Sequence, residues 1–242
     1  TMALSIPQQR ALAILPKVSG TISVVFSGLI VWMTTRDRVK RSKTYQRLLA
    51  GISIVDISSS FWLAMSTWPI PKESGVQWAV GTERSCRLQG FFTQFGIASS
   101  FYNASLSVFY VLAIKYGWKT NKLKRYEYFL HGIPLFWGLS TAIIGLALDA
   151  FHNANLWCWI ASSPDNPNSE KTDLLRWTLF YGPLWIMILI VTCNVTVVYR
   201  YVKKLERLTS RYRADRAPQC YEERQGGPTN ESTTRGENLN AA

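Results

Sequence analysis

Histidine is scarce, with two in 242 residues, and neither stands with a cysteine in a metal-binding spacing. No glycine-rich phosphate loop and no nucleophile–base motif is present. These absences remove the usual starting points for an enzyme, so no catalytic residue, metal ligand or cofactor is expected. Acidic residues are also few: 15 Asp and Glu stand against 27 Lys and Arg, for a net charge of +12. Such a surplus can mark a nucleic-acid binder, so its placement along the chain has to decide. Strict apolar–polar alternation is missing, which argues against barrel strands.

What is present is apolar residues in five long runs: Ala11–Met33, Leu48–Trp68, Leu88–Ile114, Phe129–Ala150 and Trp177–Tyr199. A hydrocarbon core of ~30 Å needs about 20 apolar residues in a helix, and each run is long enough. Basic residues fall in alternate gaps. Arg36, Arg38, Lys40, Arg41, Lys43 and Arg47 follow the first run. Lys115, Lys119, Lys122, Lys124 and Arg125 follow the third, and Arg200, Lys203, Lys204, Arg207, Arg211, Arg213 and Arg216 follow the fifth. The other gaps are nearly neutral. Basic residues stay cytoplasmic, so the expectation is an all-α membrane protein of five transmembrane helices, N-terminus outside and C-terminus inside. A nucleic-acid binder has no reason to alternate charge in this way, and no nucleic-acid partner is expected.

The expected layout is an outer segment at 1–10 and a helical bundle at 11–212. Its helices lie near 11–34, 48–68, 86–116, 129–150 and 176–204, and a disordered cytoplasmic tail occupies 213–242. The segment Ala161–Asp173, with Pro164 and Pro167, reads as loop. In the first helix Ser19, Ser23 and Ser27, with Gly20 and Gly28, form a small-residue stripe suited to close packing. In the second, Ser53, Asp56 and Ser60 share a face. Asp56 is the one acid in the body of a helix, a functional candidate or a polar knot with its serines. In the third, Gln89, Thr93, Gly96, Ser100, Asn103, Ser107 and Tyr110 repeat at helical spacing, which makes this helix central. His131 reads as an interface residue. Cys86 and Cys158 lie in the two outer gaps, where disulfides persist. Most tryptophans fall near helix ends, as interface anchors do.

Several stretches carry a family resemblance. They are Ile14-Leu-Pro-Lys-Val-Ser-Gly20, Arg47-Leu-Leu-Ala-Gly-Ile-Ser-Ile-Val-Asp56, and Trp68-Pro69 with Gly81-Thr82. Cys86-Arg-Leu-Gln-Gly-Phe-Phe-Thr-Gln94, Tyr102-Asn103, Lys115-Tyr-Gly-Trp118 and Trp157-Cys-Trp-Ile160 complete the set. In order and spacing, from about Ala11 to Arg213, the chain resembles the first five helices of a G protein-coupled receptor. More narrowly, it resembles the slime-mould cyclic-AMP-receptor-like family, related to the secretin and adhesion receptors. The resemblance implies a Cys86–Cys158 disulfide and a polar interior for ligand or ion at Asp56, Ser60, Gln94 and Asn103. It also implies a heterotrimeric G protein facing Arg41, Lys119, Lys203 and Lys204, an unknown extracellular ligand, and a plasma-membrane location. The rhodopsin-like Asp/Glu-Arg-Tyr is absent, and Ala113-Ile-Lys-Tyr-Gly-Trp118 stands in its place. After Tyr199 no further apolar run follows, so a form truncated before helices six and seven is expected. The rival readings are a non-signalling five-helix scaffold, or a transporter or channel fragment.

Overall fold

The computed structural model describes residues 6–162 and 169–225. Lipid offers no hydrogen bonds, so an apolar run must satisfy its own backbone, and it does so as helix. The first two runs are α1 (Ile6–Arg36) and α3 (Thr44–Ala64). Between them the single turn α2 (Arg38–Arg41) is capped by Asp37, whose carboxylate accepts from the Val39 and Lys40 N–H groups. The third run is α4 (Glu83–Phe95), α5 (Ile97–Tyr110) and a π-helical turn at Val111–Lys115. The fourth is α6 (Thr120–Ala147). The fifth is α7 (Ser169–Arg176), a π-helical turn at Trp177–Tyr181, and α8 (Gly182–Gln225). Among the described residues five helical stretches are long and apolar enough to cross a membrane: Arg10–Arg36, Thr44–Ala64, Glu83–Lys115, Thr120–Ala147 and Glu170–Tyr212.

Local chemistry sets the helix ends. Thr82 accepts from the Ser85 N–H while the Ser85 hydroxyl accepts from the Thr82 N–H at 2.8 Å, a reciprocal cap that starts α4. Gly117, at φ 61°, turns the chain out of the third span in the left-handed conformation that glycine tolerates best. Helix boundaries differ from the sequence expectation at several points: α1 begins at Ile6 rather than near 11, α3 runs Thr44–Ala64 rather than 48–68, and three differences are larger. α6 begins at Thr120 rather than near 129, because Lys122–Glu127 are good helix formers that an apolar window does not see. α7 occupies residues expected as loop, from Ser169 onward. Helical backbone also continues past 213, the expected start of the tail, to Gln225. The remainder of that tail, 226–242, lies outside the described residues, as do 1–5 and 163–168.

Packing follows small residues. A Cβ on Gly20 would lie 2.8 Å from the Ser60 carbonyl oxygen and 2.9 Å from Ala64 Cβ, so α1 and α3 meet at backbone distance there. The buried face of α1 is Ala13, Pro16, Gly20, Ser27 and Thr34, and Ser23 bonds Ser60 Oγ at 2.9 Å. Ser19 is exposed, and nothing lies within 4 Å of a Cβ on Gly28. A strict four-residue repeat drifts around a 3.6-residue helix, so the serine stripe leaves the interface at one end. The third span packs against α3 and α6. Leu48, Ile52, Val55, Ala98, Tyr102, Phe109, Leu123 and Leu130 form its largest core cluster.

Strand β1 (Phe151–Asn153) pairs antiparallel with β2 (Cys158–Ile160), Phe151 opposite Ile160, in a hairpin after α6. Phe151 is 1% exposed. Its ring is wedged between Gly90 on α4 and Gly145 on α6, where an added Cβ would come within 2.7 Å and 2.4 Å of it. The bundle described so far is one compact unit, ending at Val198, and residues from Tyr199 form a second.

Candidate functional site

The hairpin end of the bundle is built on the start of α4. Cys86 and Cys158 are disulfide-bonded, with a Cα–Cα distance of 5.2 Å. One helical turn on, Gln89 is fully buried. Its amide nitrogen donates to the Trp62 and Ser66 carbonyls at 2.8 and 2.9 Å, and its oxygen accepts from the Cys158 N–H at 2.8 Å. Those carbonyls belong to the end of α3, where helical partners run out. One side chain thus ties α3, α4 and the hairpin together. Gln94, also fully buried, repeats the arrangement. It donates to the Leu179 carbonyl at 3.1 Å and accepts from the Trp159 indole N–H at 2.9 Å. Trp159 packs edge-on against Phe180, and Arg176 donates to the Ile160 carbonyl at 2.8 Å. The hairpin is therefore held to both the third and the fifth spans.

Midway along the bundle the polar candidates divide. Asp56 is half-buried, with the Ser99 side chain beside its carboxylate. Asn103 is exposed and donates to the Ser99 carbonyl at 3.1 Å, so Ser99 links these two. Asn103 also lines a cavity of about 280 Å³ with Ser100, Met187, Ile188, Val191 and Thr192. Ser60 is elsewhere, bonded to α1 through Ser23, and Gln94 belongs to the hairpin end. The expected polar interior is thus two linked residues and two separate ones.

At the opposite end Arg47 pairs with Glu127 through Nε and Oε1, and Glu127 also accepts from Thr44 Oγ1 at 3.1 Å. His131 Nε2 lies 3.8 Å from the same carboxylate, while its Nδ1 is 3.1 Å from the Tyr102 hydroxyl. This cluster joins α3, α5 and α6, and it replaces the isolated interface role expected of His131. Glu127 and His131 share a face at a spacing of four, a signal available in the sequence. Arg47 carried no such signal, being one of six cations in its gap. Arg41 and Lys119 are exposed beside this cluster's elements, and the Arg41 carbonyl accepts from Arg47 at 2.8 Å. Lys203 and Lys204 are exposed in the second unit, where Lys203 donates to the Tyr199 hydroxyl at 3.3 Å.

Five membrane-length helices, a third helix at the centre and a disulfide from its end to the following hairpin describe a receptor-type bundle. The family model of the slime mold cyclic AMP receptor matches residues 21–216. The chain belongs to that family. With its five apolar helices, it is a multi-pass membrane protein of receptor type. Its fold is similar to that in the crystal structure of squid rhodopsin, with a TM-score of 0.61 at 16% identity. The match covers 87% of this chain and 61% of the rhodopsin chain, so this chain spans about three-fifths of that protein's length. At that identity the likeness concerns fold alone. No curated protein sequence matches the chain.

Proposed function

We propose that the chain is a plasma-membrane receptor whose hairpin end faces outward, takes a soluble ligand, and transmits its binding to a heterotrimeric G protein at the basic end. The observation that carries this reading is the polarity of one helix. The third span runs from Glu83 to Lys115, about 50 Å for 33 residues of helix, with the Cys86–Cys158 disulfide in its first turn and Lys115 at its far end. Disulfides persist on the oxidising side of a membrane and Lys/Arg clusters on the cytoplasmic side. Both rules give the same orientation, with the N-terminus extracellular and the C-terminus cytoplasmic. Exposed Arg41 and Lys119 then lie where an acidic surface of a G protein would dock, and Lys203 and Lys204 carry the same charge in the second unit. The family's name makes cyclic AMP the first ligand to test.

The test is nucleotide exchange. The full chain in nanodiscs is mixed with heterotrimeric G protein and a fluorescent GTP analogue, with and without cyclic AMP or an extract of extracellular medium. Exchange should rise with ligand and fall when Arg41 and Lys119 are replaced by Glu. No rise with any ligand sinks the coupling. Epitopes placed at Gly75 and at Gly117 test orientation separately, since the first alone should be labelled on intact cells.

A further inference from the structure

The stretch Tyr199–Tyr212 of α8 has two faces of opposite character. Tyr201, Leu205, Leu208 and Tyr212 recur at spacings of four, three and four, with Val202 beside them, and so form one apolar stripe. Arg200, Lys203, Lys204, Arg207 and Arg211 fall on the other side. At about 100° per residue, each of them lies roughly 90° or more from the middle of the stripe. Leu205 and Leu208 are 44% and 52% exposed, and all five cations are exposed. The ion pairs among the described residues use none of these cations. Glu206 is the single acid in the stretch.

Three kinds of surface could cover the stripe, and the residues distinguish them. A bilayer covers one face of a helix that lies in its plane. This stretch continues an apolar span, and neither glycine nor proline stands between Pro183 and Pro218. It therefore has no residue at which to turn flat, and on a bilayer its cations would face away from the headgroups. A second copy of the chain would bring a helix of like charge alongside, which is repulsive. An acidic protein that closes an apolar groove around the helix meets both faces. The groove takes the stripe through its evenly spaced anchors, and the carboxylates of the groove's rim take the cations.

We infer that Tyr199–Tyr212 is a docking helix for an acidic protein with an apolar groove, of the kind that calcium-loaded EF-hand sensors open. The inference rests on the receptor reading in taking this end as cytoplasmic, and it adds a means of regulation. Lys203 and Lys204 belong to both docking surfaces, so the sensor and the G protein exclude one another. Binding of the sensor needs neither an extracellular ligand nor nucleotide exchange, so a failure of coupling and a failure of docking are separately visible.

The test is calorimetry on the full chain in zwitterionic nanodiscs, with calmodulin as the probe and empty nanodiscs subtracted. Calmodulin should bind at least about tenfold more tightly with calcium than with a chelator, because calcium opens its groove. Leu205→Asp with Leu208→Asp should weaken binding by at least about thirtyfold, as the loss of central anchors does. Both leucines are exposed, so the melting temperature of the bundle should not move. Lys203→Glu with Lys204→Glu keeps the stripe and should weaken binding by about tenfold, with a smaller dependence on salt. Nanodiscs rich in phosphatidylserine should bind calmodulin as well as zwitterionic ones. The inference is overturned if calcium-loaded calmodulin does not bind, or if the leucine variant binds it like the parent. It is equally overturned if anionic lipid abolishes binding, since the bilayer would then hold the stripe.

Discussion

Replacing Gln89 with Leu should do more damage than any other single polar-to-apolar change in the bundle. The side chain is fully buried and makes three hydrogen bonds, two to carbonyls at the end of α3 and one to the Cys158 N–H. A buried hydrogen bond contributes roughly 1 kcal/mol net, and an orphaned buried partner costs about 1–3 kcal/mol. Leu has nearly the same length and adds apolar burial, which offsets part of the loss. The sum is about 3 kcal/mol. For a chain of this size 1 kcal/mol moves the melting temperature by about 2–4 °C, so Gln89→Leu should lower it by roughly 6–12 °C. The assay is tryptophan fluorescence against temperature in detergent, and Trp62 and Trp159 report from the affected region. A shift under about 2 °C would show that water or a rearranged loop replaces Gln89, and the claim that one side chain joins α3, α4 and the hairpin would fail. Gln89→Glu sharpens the test, since it keeps shape and acceptor but removes the donors facing two carbonyls. It should be at least as damaging as Leu.

The Cys86–Cys158 disulfide spans 72 residues, so the chain-entropy model predicts a loss of about 4 kcal/mol for Cys86→Ser with Cys158→Ser, readable as an equivalent fall in melting temperature on reduction of the parent. Combined with Gln89→Leu the losses should be less than additive, because both tether the same hairpin. Glu127→Gln leaves Arg47 without its carboxylate in a mostly buried site and should cost about 2–4 kcal/mol in a denaturation assay. Adding Arg47→Met to it should recover part of the loss, and no recovery would argue against a direct pair. Gly145→Ala puts a methyl 2.4 Å from the Phe151 ring and should destabilise by about 1–3 kcal/mol. Gly28→Ala meets nothing within 4 Å and should be neutral or stabilising by up to about 1 kcal/mol. Equal effects at the two glycines would contradict the packing described.

The five spans and their division between basic and neutral gaps could be read from the chain because both depend on composition alone. Lipid demands about 20 apolar residues per crossing, and that demand leaves a mark at every position of a run. The third helix announced its central place through a polar stripe at helical spacing, for the same reason. Residues acting across the fold left weaker marks. Gln89 and Gln94 look alike in sequence, and only the folded chain shows one closing α3 against the hairpin and the other closing Trp159 against Leu179. Arg47 is one cation among six until Glu127 arrives from 80 residues away. Asp56 and Asn103 proved linked through Ser99 while Ser60 turned to α1, a choice made by helix rotation that spacing within one helix does not encode. A cavity at the hairpin end draws its lining from three segments, the connection before α4, the start of α4 and the hairpin. Local sequence determines which elements form, while the pairing of long-range partners depends on how those elements pack.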